Sequence, residues 1–209
     1  MKKIVLLFLV ISTVGFAQKK KKKHWSDDFV EAPKPQIPIA EIEPFKADDE
    51  AIVTYTANDF NKDKLVDAVV VMAKKDEAKI YSQTGEHPAR KLIILQRNKA
   101  GKLEKITENN KIVYCYKCGT PYGNPLVSVK FKGNTLTVEH EAGKVNRWSR
   151  LTAFTYDAEK QQWFLTRDAS SVYKITGGHI KSIQLFPKDF GVITFEQYDY
   201  TAENLRKQQ

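Results

Sequence analysis

Short apolar runs separated by turn residues dominate the sequence from residue 51 onward. The clearest pair of runs flanks residues 133–134, which read Gly-Asn. Val127, Val129 and Phe131 alternate with polar residues before this turn, and the alternation continues over residues 136–139. Because successive side chains of a strand point to opposite faces, this pattern predicts a β-hairpin with one apolar face.

The same reasoning extends the strand pattern along most of the chain. Hairpin turns are predicted at residues 98–102 and 157–160, and the only helix candidates are weak ones at residues 76–81 and 202–207. Further strands are predicted at residues 52–55, 66–72, 92–95, 148–156, 163–167 and 192–198. Many short strands with regular turns predict a mostly β fold with little helix, either an antiparallel β-sandwich or a partly open barrel.

The first residues have the organisation of a secretory signal peptide. A cationic start, Met1-Lys2-Lys3, precedes an apolar run over residues 4–14, and small residues lie at positions 15 and 17. We expect cleavage after Ala17 and export to the periplasm or beyond, with a retained membrane anchor as the alternative. The apolar run is too short to span a bilayer, and no later run is longer, so no transmembrane span is expected after cleavage.

The chain divides into four predicted parts: a signal peptide at residues 1–17, a polylysine and proline-rich linker at residues 18–49, a single β-rich domain at residues 50–200 and a polar tail at residues 201–209. Four prolines between residues 33 and 44 disfavour a helix or a central strand in the linker, so it is either extended or an edge segment that lies on the domain. Its isoleucines Ile37, Ile39 and Ile42 could anchor it to an apolar surface of the domain.

Positive charge is concentrated near the N-terminus. The chain carries 34 Lys and Arg against 25 Asp and Glu, and five consecutive lysines run from Lys19 to Lys23. One interpretation of such a run is an arm that makes weak electrostatic contact with an anionic lipid, polysaccharide or nucleic acid. The alternative is a solvated tail without a specific partner. No aromatic residues interleave the lysines for base stacking, so specific nucleic-acid binding is not expected.

Oxygen-bearing side chains alternate in the segment between the first two predicted strands. Asp59, Asn61, Asp63 and Asp67 occupy positions 1, 3, 5 and 9, and Leu65 would add its backbone carbonyl. Ca²⁺ takes about six to eight oxygen ligands, and a tight loop can supply them in this spacing. The alternative is a loop whose carboxylates and amide only cap backbone N–H groups.

The sixth position of this segment is Lys64, where a sharp turn favours glycine. A Cβ makes the required backbone conformation unfavourable. Lys62 and Lys64 also reduce the local negative charge. The sequence therefore predicts a weak calcium site at most.

The two cysteines, Cys115 and Cys118, form a single CxxC pair. In an oxidising compartment such a pair is expected to be a structural disulfide. A redox-active pair would have its first thiolate at a helix N-terminus, but the Gly- and Pro-rich residues 119–125 disfavour a helix here. A zinc site would need two more ligands from histidines that lie at no ligand spacing from the pair: His24, His87, His140 and His179.

Aromatic residues on the later strands suggest a second candidate site. Arg147, Trp148, Tyr156 and Trp163 could form a ligand face on which a sugar ring stacks, although such aromatics usually fill the core of a β domain. His140 is in phase with the apolar residues of its strand, which favours a core position over a catalytic one.

The motifs together resemble a known family. The acidic segment is similar to the calcium loop of FG-GAP/VCBS-type segments, and the order of motifs resembles a family of small exported bacterial proteins of unknown function. That order, which covers residues 51–200, is Cys115-x-x-Cys118-Gly119, Gly123-x-Pro125, Arg147-Trp148-x-Arg150, Phe154-x-Tyr156 and Asp189-Phe190-Gly191. The resemblance implies a secreted, mostly β domain without an established activity.

No catalytic signature of a serine hydrolase, a zinc protease or a phosphate-binding loop occurs in the sequence. We therefore expect an exported, non-catalytic binding or scaffold domain for an envelope or extracellular ligand, stabilised by the disulfide and a candidate Ca²⁺. The alternatives are an envelope enzyme, either a thiol–disulfide protein or a hydrolase, and a surface glycan-binding protein.

Overall fold

The computed structural model describes residues 36–118 and 123–202, without the side chain of His179. Its strands form two antiparallel sheets, each with its strands in sequence order. The four-stranded sheet contains β1 (Glu50–Asn58), β2 (Asp67–Lys74), β3 (Lys91–Arg97) and β4 (Leu103–Asn109). The five-stranded sheet contains β5 (Leu126–Lys132), β6 (Thr135–Gly143), β7 (Asn146–Asp157), β8 (Gln162–Lys174) and β9 (His179–Leu185).

Among the described residues, helical structure is confined to short segments. They are α1 (Ile39–Ile42), a 3₁₀ turn (Glu43–Phe45), α2 (Glu77–Thr84) and α3 (Pro187–Phe190). Neither sheet closes into a barrel in the part of the chain that is described. The prediction of a mostly β, sandwich-like fold is therefore confirmed, and no helix among the described residues is long and apolar enough to cross a membrane.

The main core lies between the two sheets. The four-stranded sheet contributes alternate residues such as Val69, Val71 and Ile94, and the five-stranded sheet contributes Val138 and Phe154, all almost completely buried. The alternation arises because the inward side chains of each strand are two residues apart. Burial of this apolar area is the main favourable term that holds the sheets together.

A second apolar cluster covers the opposite face of the four-stranded sheet. Ile37 and Ile42 pack against Val70, Met72 and Leu95, and all five are at most 2% exposed. Strand β2 is consequently buried on both faces, which explains why its sequence is a continuous apolar run.

The N-terminal segment lies on the domain, as the second interpretation of this segment predicts, and is not an extended linker from Gln36 onward. From Gln36 onward it belongs to the packed domain, and it forms a helical turn despite its prolines. Pro44 is tolerated because it lies at the start of the 3₁₀ turn, where its missing N–H is not needed. Two of the three expected anchors, Ile37 and Ile42, are buried, whereas Ile39 is 51% exposed.

Two strand predictions are wrong in detail. An irregularity in the pairing of β5 with β6 between Leu126 and Ser128 changes the phase of β5, so Val127 is 58% exposed instead of lying on the apolar face. The segment predicted as a strand over residues 192–198 forms only one bridge, between Phe164 and Thr194. The last strand is instead β9, which the sequence analysis did not identify.

The C-terminal segment crosses between the sheets instead of pairing along one of them. The side-chain amide of Asn109, at the end of β4, donates to the carbonyls of Phe195 and Tyr198 at 2.6 and 2.9 Å. The backbone N–H of Tyr200 donates to the carbonyl of Lys111 at 3.2 Å. This placement brings Tyr200 to the end of the sandwich where the β4–β5 connection lies.

Some predictions concern residues outside the described part of the chain. They are the signal peptide, the linker up to residue 35 with the lysines at residues 19–23, and residues 203–209, which hold most of the polar tail and of the helix candidate at residues 202–207.

Candidate functional site

The two ends of the sandwich carry different groups of polar residues. At one end, which we call the loop end, lies the β1–β2 connection with the acidic segment, and the side chain of Asn58 joins it to the β5–β6 turn through the carbonyl of Gly133 at 2.7 Å. At the other end, which we call the cavity end, lie the β4–β5 connection with both cysteines and the α2–β3 connection.

At the loop end, the acidic side chains accept hydrogen bonds from the backbone of their own loop. The N–H of Asp63 donates to Asp59 Oδ1 at 3.1 Å and to Asn61 Oδ1 at 3.0 Å. The N–H of Lys64 donates to Asp59 Oδ2 at 2.9 Å, and the N–H of Leu65 donates to Asp63 Oδ1 at 2.8 Å. These contacts correspond to the capping alternative for this sequence.

The sharp turn predicted at Lys64 is present. Lys64 has φ 71° and Lys62 has φ 64°, so both adopt the left-handed conformation that glycine tolerates best. The hydrogen bonds to the neighbouring carboxylates offset part of this backbone cost.

Asp67 is the one buried carboxylate of the acidic segment, with no exposed surface. Its oxygens accept the N–H of Arg97 at 2.9 Å and the N–H of Phe60 at 3.4 Å. Burial raises the pKa of Asp67 to about 6, and the charges of Asp63 and Asp59 raise it further, although the two N–H groups act in the opposite direction.

The part of the β4–β5 connection that contains Tyr114, Cys115, Lys117 and Cys118 is called the cysteine loop. At the cavity end, a cavity of about 600 Å³ lies between the inner face of the five-stranded sheet and this loop. Its walls combine aromatic rings, cations, hydroxyl groups and aliphatic side chains. The lining residues are His87, Tyr114, Lys117, Cys118, Trp148, Ser149, Arg150, Ser170, Ser171, Val172, Lys181, Ile183 and Tyr200.

A buried ion pair forms the floor of the cavity. Arg150 on β7 donates through Nε and Nη2 to both oxygens of Asp168 on β8, at 2.9 and 2.8 Å, and both side chains are at most 4% exposed. Arg150 Nη1 donates to the hydroxyl of Tyr114 at 2.8 Å and to the carbonyl of Tyr200 at 3.2 Å. The hydroxyl of Tyr198 donates to Asp168 at 2.7 Å. This network satisfies the buried charges and fixes the surrounding aromatic residues.

Tyr114 connects this network to the rest of the cavity wall. Its ring makes edge-to-face contacts with His140, Trp148 and Tyr200, with centroids 4.6, 5.5 and 4.3 Å away. Such contacts orient the rings that face the cavity.

His140 lies behind the cavity wall and is 1% exposed, in agreement with the predicted core position. Its Nε2 accepts the N–H of Tyr114 at 3.2 Å, which requires the proton on Nδ1, and Nδ1 has no partner among the described residues. Burial lowers the pKa of His140 to about 3, and the charges of Arg150 and Arg90 lower it further.

Cys115 and Cys118 are joined as a disulfide, in agreement with the sequence analysis. The N–H of Cys118 donates to the carbonyl of Cys115 at 3.2 Å, so a tight turn holds the two side chains together. The imidazole of His87, from the α2–β3 connection, lies beside them, with Nδ1 3.2 Å from Cys115 Sγ. His87 is exposed, Cys118 is half-buried and Cys115 is buried.

The predicted ligand face is not one surface. Trp163 and Tyr156 are core residues, 1% and 8% exposed, because their alternate positions point between the sheets. Arg147 points away from its neighbour Trp148 and forms an ion pair with Glu141. Of the four predicted residues, only Trp148 lines the cavity.

The other cavity residues come from six separate segments, and local sequence patterns did not single most of them out. Arg150 could have been inferred from its spacing, since it lies two residues after Trp148 on the same strand and therefore on the same face. His87 and Tyr200 have no such signal, because only the fold brings them to this end.

The ligand atoms of His87, Cys115 and Cys118 all lie within 4.8 Å of one another. In the described ranges, no other set of three His, Cys, Asp or Glu side chains has its ligand atoms so close together. Asp59, Asp63 and Asp67 of the acidic segment therefore do not form such a set. Neither the protein-family models nor the sequences of curated proteins give a match to this chain.

Proposed function

We propose that the chain is an exported, non-catalytic binding domain whose ligand occupies the cavity at the cavity end. The observation that carries this proposal is the cavity itself, with a volume of about 600 Å³ and three aromatic rings in its wall. Small-molecule sites in proteins occupy roughly 300 to 1,000 Å³ and combine apolar walls with a few polar groups that orient the ligand.

The wall chemistry favours a ligand with a ring and a negative charge. Trp148, Tyr114 and Tyr200 offer aromatic surface on which a planar or sugar ring can stack. Lys117 and Lys181 line the cavity from the cysteine loop and from β9, whereas no Asp or Glu is among the described residues that line it. An anionic group would therefore meet a positive local potential.

The rigidity of the cavity floor supports binding without a large rearrangement. Arg150 directs four hydrogen bonds to Asp168, Tyr114 and Tyr200, which hold the strands, the cysteine loop and the C-terminal segment together. A preorganised site loses less conformational entropy when the ligand binds.

Anilinonaphthalenesulfonate, which combines aromatic rings with a sulfonate, is a suitable first probe. We expect one molecule to bind per chain under native conditions, with energy transfer from Trp148. Trp148→Leu should reduce the transfer, because Trp163 in the core remains as a donor. Lys181→Gln should weaken binding roughly two- to fivefold, as expected for one partly solvated charge.

Lys188→Gln is the matched control, because Lys188 is also an exposed lysine but does not line the cavity. Equal loss in the two lysine variants, or unchanged energy transfer in Trp148→Leu, would refute binding in the cavity. Competition by acidic oligosaccharides but not by their neutral counterparts would identify a glycan as the ligand class.

Two further parts of the proposal rest on the sequence. Export follows from the signal-like N-terminus and accords with the disulfide. Binding of one Ca²⁺ by the acidic segment follows from the spacing of Asp59, Asn61, Asp63 and Asp67, with the carbonyl of Leu65. Burial of Asp67 supports it, because a cation would offset the cost of a buried negative charge.

A thiol–disulfide function is the second candidate, and the proximity of His87 to Cys115 favours it. An imidazole beside a sulfur can stabilise a thiolate leaving group. Rapid exchange of the disulfide with a dithiol, slowed in His87→Ala, would support this function. A disulfide that resists exchange would instead support a structural role.

A further inference from the structure

The cysteine loop holds a set of side chains that is suited to a metal ion. We propose that His87, Cys115 and Cys118 form a three-ligand site for a thiophilic cation, Zn²⁺ or Cu⁺, which becomes available when the disulfide is reduced. This site does not depend on the identity of the ligand in the cavity.

The three candidate ligand atoms lie at distances that suit one metal ion. His87 Nδ1 lies 3.2 Å from Cys115 Sγ, and the three candidate ligand atoms lie within 4.8 Å of one another. Ligands bound to one Zn²⁺ through bonds of about 2.0 to 2.3 Å must lie at similar separations, so only small side-chain movements are needed. His87 is 28 residues from Cys115, which makes this proximity a product of the fold and not of the CxxC spacing.

The ligand types determine the class of metal. Thiolate sulfur and imidazole nitrogen favour Zn²⁺ and Cu⁺, whereas Ca²⁺ and Mg²⁺ favour oxygen. Two cysteines separated by two residues are a common half-site for zinc, because a tight turn directs both sulfurs to one side. Such a turn is present here, closed by the N–H of Cys118 and the carbonyl of Cys115.

The surroundings hold the histidine in place and leave room beside the cluster. The ring of His87 packs against the ring of Tyr81 on α2, with centroids 4.8 Å apart. His87 and Cys118 both line the cavity. Three protein ligands leave a tetrahedral ion with one open position, which water or an anionic group in the cavity can fill.

Access to the site is controlled by oxidation state. A small dithiol reduces the disulfide by thiol–disulfide exchange, so that the dithiol becomes a disulfide and Cys115 and Cys118 become thiols. The cation then binds the two thiolates and the imidazole, and the two thiol protons pass to water. With the disulfide intact, the sulfurs are bonded to each other and the site is closed to the cation.

The test uses the purified protein in both oxidation states, with the reduced form prepared with a phosphine and kept free of oxygen. Co²⁺ serves as a coloured substitute for Zn²⁺, and competition with chromophoric chelators gives the affinities for Zn²⁺ and Cu⁺. We expect one equivalent to bind to the reduced protein with a thiolate-to-Co²⁺ charge-transfer band, and no binding to the oxidised protein.

His87→Ala is the decisive variant, because it leaves both cysteines in place. Loss of a direct ligand should weaken the affinity for the metal by at least about tenfold. A loss of about tenfold is already typical when a residue that only hydrogen-bonds to a ligand is replaced. Glu86→Ala, which changes the exposed neighbouring residue, should not alter the affinity. Near-ultraviolet circular dichroism of each variant verifies that the fold is retained.

The proposal is overturned if the reduced protein binds neither ion more tightly than the Cys115→Ser, Cys118→Ser double variant. It is also overturned if His87→Ala binds as tightly as the wild-type protein, since the metal would then be held by the CxxC pair alone. Binding of the anilinonaphthalenesulfonate probe is measured separately, so failure of the metal site and failure of the binding function are distinguishable.

Discussion

The loop end and the cavity end satisfy their polar groups in different ways. At the loop end, the hydrogen bonds of Asp59, Asn61 and Asp63 to the backbone join residues two to five positions apart, and only the buried Asp67 reaches a distant strand, through the N–H of Arg97. At the cavity end, the contacts of Arg150, His140 and His87 join residues 18 to 50 positions apart. The exposed part of the acidic segment is therefore a local structure, whereas the cavity end exists only when the whole domain is folded.

Burial shifts the pKa of one group at each end, and the two shifts have opposite directions. Burial raises the pKa of Asp67 at the loop end and lowers the pKa of His140 at the cavity end. Both shifts favour the neutral form of the group, but protonation neutralises the carboxylate and charges the imidazole. The two ends should consequently differ in sensitivity to mutation, to metal and to pH.

The largest expected difference comes from removing one aspartate at each end. Asp168→Ala would leave the guanidinium of Arg150 buried without its partner, which should lower the free energy of unfolding by about 3 to 5 kcal/mol. Asp59→Ala would remove only two exposed backbone caps and should cost about 1 to 2 kcal/mol. Urea denaturation measures both, and equal costs would contradict the contrast between the ends.

The second difference concerns Ca²⁺, which should act on the loop end alone. If the acidic segment binds the ion, a hundredfold excess over Kd should raise the free energy of unfolding by about 2.7 kcal/mol relative to chelator. Asp63→Ala should remove the effect. Asp157→Ala should retain it, because Asp157 caps the N–H groups of its own turn in the same manner but lies outside the segment. If millimolar Ca²⁺ leaves the free energy of unfolding of the wild-type protein unchanged, the segment is a capped turn and not a calcium site.

The third difference is the acid sensitivity of the cavity end. The pKa of His140 is about 3 in the folded protein, below the value of about 6.5 expected for the unfolded chain. Between these values the unfolded state binds more protons, so stability is present above pH 6.5 and is lost as the pH falls. From pH 7 to pH 5 this group should cost about 2 kcal/mol of unfolding free energy.

His140→Gln provides the control for this prediction, because the glutamine oxygen can accept the N–H of Tyr114 without titrating. Denaturation curves at several pH values should show a smaller loss of stability on acidification in this variant. An unchanged pH dependence would mean that His140 is not the responsible group.

The smallest expected difference has the opposite sign and comes from the loop end. In chelator, the pKa of Asp67 is about 6 in the folded protein, above the unfolded value of about 3.9. Here the folded state binds more protons, so acidification from pH 7 to pH 5 should add about 1 kcal/mol of stability. In the His140→Gln background this gain should become visible, and replacing Asp67 by asparagine should remove it.

The contrast between the ends also explains which features could be predicted from sequence. The turn at residues 133–134 and the acidic segment were identified because alternation and turn chemistry act over a few residues. The phase change in β5 could not be predicted because no glycine or proline between Leu126 and Ser128 indicates the irregularity there. Val127 also continues the apparent alternation of apolar and polar residues. The proximity of His87 to the cysteines depends on tertiary packing, which spacing does not encode.

Two other predictions were wrong because contacts between distant parts of the chain decide the structure there. Residues 192–198 have strand composition, but their carbonyls accept hydrogen bonds from Asn109 and only one bridge joins them to β8. Phe195 and Tyr198 therefore fill the core without forming a strand, and Val192 is 79% exposed. Trp163 and Tyr156 were candidates for a ligand face, but their burial follows from which face of β7 and β8 meets the other sheet. That choice depends on the assembled sandwich.

The cover that Ile37 and Ile42 provide over the four-stranded sheet defines where the chain can be shortened. A fragment that begins at residue 50 would expose Val70, Met72 and Leu95 together as one apolar patch. Large exposed patches of this kind promote self-association. Such a fragment would therefore be prone to aggregate even though every strand is present, and the smallest soluble unit should begin before Ile37.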